Sequence, residues 1–201
     1  MARTESRVGG AGGGPRRRAD AERSIEAILD AAQAGLADHP QLTMAELARA
    51  AGVGRVTLYT HFASREAVLG AVLERAVDEA SAAIEGAAPR EGSAAEALDR
   101  LVRTSWRVLD RHRRLFAVAH AELPAADMRR HHERALAHVE QLIERGRDEG
   151  DFRTDLPTTW LLSTIYSLMH AAAEDVNNGR LTAEQAPEVL VATILPAVRG
   201  R

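Results

Sequence analysis

Apolar residues recur along almost the whole chain three and four positions apart, and nowhere alternate in the two-residue rhythm of a half-buried strand. Ile25, Ile28, Leu29, Ala32 and Leu36 fall on one side of a helix expected from about Asp20, a residue suited to a cap, to Ala37. Residues 43–51 read as a short second helix, in which Thr43 can cap the first turn while Glu46 reaches back to close a capping box. Gly52 stands where the chain must leave that helix left-handed. Another short helix follows, with Val53, Leu58 and Phe62 as its apolar side. Ser64 then can cap a longer helix that carries Val68, Leu69, Val72, Leu73, Ala76, Val77 and Ile84 to about Glu85. Residues 86–92 form a loop. Beyond it the pattern predicts helices at about 93–113, 114–121, 125–150 and 157–177, a turn at Asn177-Asn178-Gly179, and a last helix from Thr182 toward Pro196, with Gln185 completing a second capping box. The expected fold class is all-α.

Two short helices joined by a glycine-containing turn make a helix-turn-helix, whose second helix can enter a DNA major groove. At roughly 100° per residue, Leu58 and Phe62 point together toward the core, Val56 and Thr60 point furthest away, and Arg55, Thr57, Tyr59 and His61 lie on the flanks. A face of small, polar and aromatic side chains suits a groove floor bordered by phosphates. Spacing alone leaves room for a plain solvated helix.

The combination of Ile28-Leu-Asp-Ala-Ala32, Leu42-Thr43, Leu47-Ala48, Ala51-Gly52-Val53 and Thr57-Leu-Tyr-Thr-His-Phe62 followed by Arg65-Glu66 resembles the tetracycline-repressor-like (TetR) family of bacterial transcription regulators. The likeness covers residues 25–69. It implies an N-terminal three-helix DNA-binding domain and a C-terminal helical bundle for ligand binding and dimerisation. It assigns DNA contacts to Thr43, Arg55, Val56, Thr57, Tyr59, Thr60, His61 and Arg65. Three positions depart from the common pattern. Gly54 stands where a serine often caps the recognition helix, which weakens the cap. Val56 replaces a smaller residue. Arg65 replaces the usual lysine, which keeps a charge for a phosphate. The corresponding division is a flexible Gly/Arg-rich arm at 1–18, the helix-turn-helix domain at 19–65, and the ligand-binding and dimerisation domain at 66–201.

Composition adjusts this picture in three places. The net charge of −3 does not itself suggest a DNA partner. Residues 1–65, however, hold 9 Arg against 7 acids, and the remainder 17 against 22, so basic charge gathers where the helix-turn-helix lies. There is no cysteine, which removes disulfides, thiol nucleophiles and zinc-thiolate sites. No apolar run of about 18 residues and no signal-peptide core occur, so a cytoplasmic location without membrane partners is expected. The arm's glycines miss the G-x-G-x-x-G spacing and follow no strand, so they do not form a nucleotide loop. Arg16, Arg17 and Arg18 are placed to reach a minor groove or a phosphate.

Candidate chemistry is sparse. His131, His132 and His138 beside Glu133 invite a metal reading, but the spacing is not that of a helical metal pair. A solvated polar helix face among Arg129, Arg130 and Arg134 is the expectation. No nucleophile elbow or triad is present, so neither enzyme, metal nor cofactor is expected. In the bundle, Trp106, Phe116, His120, Trp160, Tyr166, Met169 and His170 are candidates for lining a mainly apolar pocket, against plain core packing for any one of them. Leu161, Leu162, Ile165, Leu168 and Met169, then Val189, Leu190, Ile194 and Leu195, make the last two helices apolar enough to pack inward and against a second copy. The reading is a homodimeric repressor that binds a double-stranded operator and leaves it when a mainly apolar small molecule binds. The alternative is a helical small-molecule-binding protein with a vestigial helix-turn-helix.

Overall fold

The computed structural model describes residues 14–199, which form eight helices and no strand. In chain order these are α1 (Gly14–Asp38), α2 (Met44–Ala50), α3 (Arg55–His61), α4 (Arg65–Gly86), α5 (Ala94–Glu122), α6 (Ala125–Asp148), α7 (Thr158–Asn177) and α8 (Ala186–Val198). α1 to α3 pack on one another, α1 also rests on α4 and α5, and α4 to α8 build the larger bundle. One core runs through both parts, from Ile28, Leu47 and Leu58 to Leu98, Ile143 and Ile194.

The caps follow the sequence closely. Thr43 accepts a hydrogen bond from Glu46 N at 3.3 Å, and Thr43 N donates to Glu46 Oε2 at 2.9 Å. Ser64 Oγ accepts from Ala67 N at 3.2 Å and starts α4. Gly52 has φ +66°, the left-handed conformation that releases α2 into the turn. Thr182 and Gln185 make both bonds of their box, at 3.2 Å each, but they cap a turn that leads into α8 rather than the helix itself.

Two boundaries differ from expectation. α1 begins at Gly14, so Pro15 and the three arginines belong to its first turns and Asp20 is an interior residue, not a cap. Pro suits a first helical turn, where its missing N–H would have no partner. The arm expected at 1–18 is therefore helical from residue 14, and residues 1–13 lie outside the described residues. The stretches expected at 93–113 and 114–121 are one 29-residue helix, α5, because no glycine or proline interrupts them.

Candidate DNA interface and ligand cavity

α3 presents the face that its periodicity predicted. Leu58 is fully buried, whereas Val56 is 83% and Tyr59 53% exposed. Arg55 and Thr60 are exposed beside them, and Thr57 and His61 are half-buried on the flanks. Thr60 Oγ1 donates to Val56 O at 2.7 Å, which turns its proton to its own helix. Gly54 supplies no side-chain cap, as expected. Thr43 sits apart at the start of α2, its hydroxyl engaged with Glu46. The backbone N–H and then the hydroxyl of Thr43 hold the Glu46 carboxyl below the usual carboxylate range.

Arg65, expected at a phosphate, makes its bonds within the protein. Its Nε donates to Leu42 O at 3.0 Å, and its terminal nitrogens go to Pro40 O and the Glu122 carboxylate. Each of its three nitrogens donates to a group within the protein. Arg65 thus ties the start of α4 to the loop before α2 and to the last residue of α5. Arg75 and Arg114 brace the same junction, with Arg75 bonding Asp30 at 2.7 Å and Arg114 bonding Asp38 at 3.0 Å.

Between α4, α5, α6 and α7 lies an apolar cavity of about 90 Å³. Its wall includes Val77 and Ile84 of α4, Leu101 and Val108 of α5, Leu136 and Val139 of α6, and Ile165 of α7. Four predicted residues, Phe116, Tyr166, Met169 and His170, line it. Three do not. Trp106 is buried but donates its indole N–H to Ala183 O at 3.0 Å, a packing role against the segment before α8. Trp160 is 61% exposed on the outer side of α7. His120 is exposed and borders a second, open hollow of about 550 Å³ between α5 and α7. Phe116, Tyr166 and His170 line both spaces and so form the partition between them.

His132 belongs to the site, which corrects its reading as part of a solvated face. It is 8% exposed, lines the cavity, and its ring centroid lies 5.1 Å from that of Tyr166, 5.2 Å from His170 and 5.7 Å from Phe116. The signal was available in the phase of α6. Met128, His132, Val139, Leu142 and Gly146 form its buried stripe, and His132 takes its place in that stripe rather than among the arginines. Burial drives the His170 imidazole down to about 2, helped by repulsion from His132 and His120. Burial likewise lowers His132 against its bond to Met128 O, and raises the Tyr166 phenol. The polar end of the cavity is therefore neutral at physiological pH. Among the described residues no group of His, Asp or Glu is arranged to hold a metal ion.

A helix-turn-helix with an outward aromatic and basic face, joined by a shared helix to a bundle with an apolar cavity, defines a one-component regulator. Residues 28–72 match the family model for bacterial regulatory proteins of the tetR family, and residues 95–178 match a tetracyclin-repressor-like C-terminal domain. The chain is 32% identical over 160 residues to the HTH-type transcriptional repressor LfrR of Mycolicibacterium smegmatis, covering 79% of this chain and 82% of that protein. The crystal structure of LfrR in complex with proflavine superposes with a TM-score of 0.66 at 26% identity, covering 90% of this chain and 98% of that one. The fatty acid degradation regulator FadR from Bacillus halodurans shares the fold, with a TM-score of 0.74 at 21% identity over 87% of this chain and 99% of that one. The chain belongs to the tetR family. It is a DNA-binding, ligand-responsive transcription regulator and not an enzyme. No described helix is long and apolar enough to cross a membrane.

Proposed function

We propose that this protein is a cytoplasmic, homodimeric repressor that leaves a palindromic operator when a mainly apolar, uncharged small molecule enters the cavity between α4 and α7. The observation that carries this reading is the position of α4. Its first residue, Arg65, is bonded to the loop before α2, and three to five turns later Val77, Ala80 and Ile84 form part of the cavity wall. Anything that moves those wall residues moves the support of the helix-turn-helix. An effector that binds one arrangement of α4 more tightly than another then shifts the population that fits successive major grooves.

DNA recognition is assigned to Arg55, Val56, Thr57, Tyr59, Thr60 and His61, with Arg65 acting through position rather than contact. The functional division follows the sequence reading, 19–65 for DNA and 66–201 for effector and dimerisation, with α4 belonging mechanically to both. α8 leaves Val189, Ala192, Thr193 and Pro196 exposed along one side, and α7 leaves Trp160, Ser167 and Ala171 exposed. This apolar, small-residue surface supports a four-helix dimer interface. Leu190 and Ile194, by contrast, are buried within the protomer. The effector preference follows from the wall, which carries no Asp, Glu or Arg. A cationic acridine such as the proflavine bound by LfrR would find no counter-ion there.

The test is selection of duplexes from a random pool by the full chain, followed by anisotropy titrations. A palindrome with half-sites about one helical turn apart or slightly more is expected, bound with steep salt dependence. Equal affinity for the selected and scrambled duplexes overturns the proposal.

A further inference from the structure

The polar end of the cavity has a definite hydrogen-bonding sense. His132 Nδ1 lies 2.7 Å from Met128 O, one turn back on its own helix. A carbonyl oxygen only accepts, so Nδ1 carries the proton. In the neutral ring that leaves Nε2 as a bare lone pair. With Nδ1 turned onto α6, the Nε2 edge faces the opposite way, toward the rings of Tyr166 and His170 and the cavity that all three line.

The neighbouring imidazole is set the same way, but its acceptor is already taken. His120 Nδ1 is 3.0 Å from Phe116 O and must donate to it. The Tyr166 hydroxyl stands 3.4 Å from His120 Nε2 and so donates there. This uses the one proton that Tyr166 has to give. Among the described residues no donor is bonded to His132 Nε2. The cavity thus offers apolar walls, no charged side chain, and at His132 Nε2 an acceptor to which no described residue is seen to donate.

Three classes of ligand fit this poorly. A carboxylate or phosphate would sit against rings that burial keeps unprotonated. A cation has no carboxylate to pair with. A molecule that only accepts, such as an ether or ketone, brings no donor to His132 Nε2. We infer that the effector is an uncharged molecule with an apolar body and one hydroxyl or N–H group, and that this group donates to His132 Nε2. The inference rests on the proposed effector role of the cavity, and it narrows that role to one chemical class read by one residue.

The probes are a series of 4-alkylphenols from methyl to hexyl, each with its 4-alkylanisole and 4-alkylbenzoate counterpart. Binding to the full chain is measured by calorimetry without DNA, so failure here is separate from failure to bind an operator. The phenols should bind about tenfold or more tightly than the matching anisoles, the worth of one buried hydrogen bond, and the benzoates should not compete. His132→Leu should erase the phenol–anisole difference. Should that variant fail to fold, nitrogen-15 spectra of the native imidazoles give an independent reading. His132 should show a protonated Nδ1 and a bare Nε2 whose resonance moves with phenol and not with anisole. Equal binding of phenols and anisoles, preferred binding of benzoates, no binding by any phenol, or a protonated Nε2 would each overturn the inference.

Discussion

Replacing Arg65 by Met keeps the aliphatic stem and removes all of the guanidinium bonds, which separates bracing from DNA contact. The Arg65 side chain is 22% exposed, and it donates to Leu42 O and Pro40 O besides pairing with Glu122. A hydrogen bond from a charged donor contributes about 1.5–3 kcal/mol when buried. Partial exposure allows water to replace some of that, and the ion pair adds under about 1 kcal/mol. A loss of about 2–3 kcal/mol follows, or a fall of roughly 4–12 °C in melting temperature for a chain of this length. The loss should concentrate around α2 and α3, read as faster amide exchange there. Operator affinity should drop, but the slope of log affinity against log salt should not change, since no phosphate contact is lost. An unaltered melting temperature with a slope shallower by about one would refute the bracing role and restore Arg65 to the DNA surface.

Tyr59→Ala should weaken operator binding across many sequences, whereas Arg55→Ala should relax preference at one base position of each half-site, by about 1–3 kcal/mol if it pairs with a base, as read from selection before and after the change. Trp160→Glu together with Val189→Glu should give monomers in sedimentation velocity and abolish operator binding, while Leu190→Glu should unfold the protomer, because Leu190 is 3% exposed in the core. Stability should depend on pH through His132 and His170, whose folded values lie below the unfolded imidazole value. The unfolded chain binds these protons below about pH 6.5 and the folded chain does not. Stability should therefore be level above about 6.5 and fall below it, by about 1.4 kcal/mol per pH unit from His170, with His132 adding in the same direction. A urea midpoint that stays level between pH 6.5 and 5 would show that these rings are not held neutral.

The features legible in the sequence were those decided by neighbours a turn away. Thr43 with Glu46, Ser64 before α4 and the left-handed Gly52 are local chemistry, and each stands where the spacing put it. The outward face of α3 is a matter of angle around one short helix, and Leu58 fixed its phase. What sequence reasoning missed depends on residues far along the chain. The partners of Arg65 are 23, 25 and 57 residues away, so an intramolecular use of its charge was invisible beside the family's phosphate contact. Trp106 and Trp160 were chosen for size alone, and size does not say which side of a helix meets the cavity. His132 was missed for another reason. Its spacing was compared with metal motifs, when its phase with Met128 and Val139 already placed it inside. The start of α1 was set too late because glycine and proline were read as punctuation, although proline is at home in a first turn.

The size of the cavity decides how binding can be coupled to DNA release. Its volume of about 90 Å³ is well below the roughly 300–1,000 Å³ that small-molecule sites commonly span. A ligand that fits without moving the walls binds every arrangement of α4 alike, and so shifts nothing however tight it is. A larger one must part α4 from α5, α6 or α7, or push through the Phe116, Tyr166 and His170 partition into the outer hollow. Taking the operator-binding population from 99:1 to 1:99 requires about 5.5 kcal/mol of differential binding. At about 25 cal/mol per Å² of apolar surface, that is roughly 220 Å² more contact in the released arrangement. One large aromatic side chain buries about 150–250 Å², so an effector reaching one ring beyond the present cavity is large enough. Release potency should accordingly rise with length in a ligand series even where affinity levels off, because only the part that displaces the wall of α4 differs between the two states.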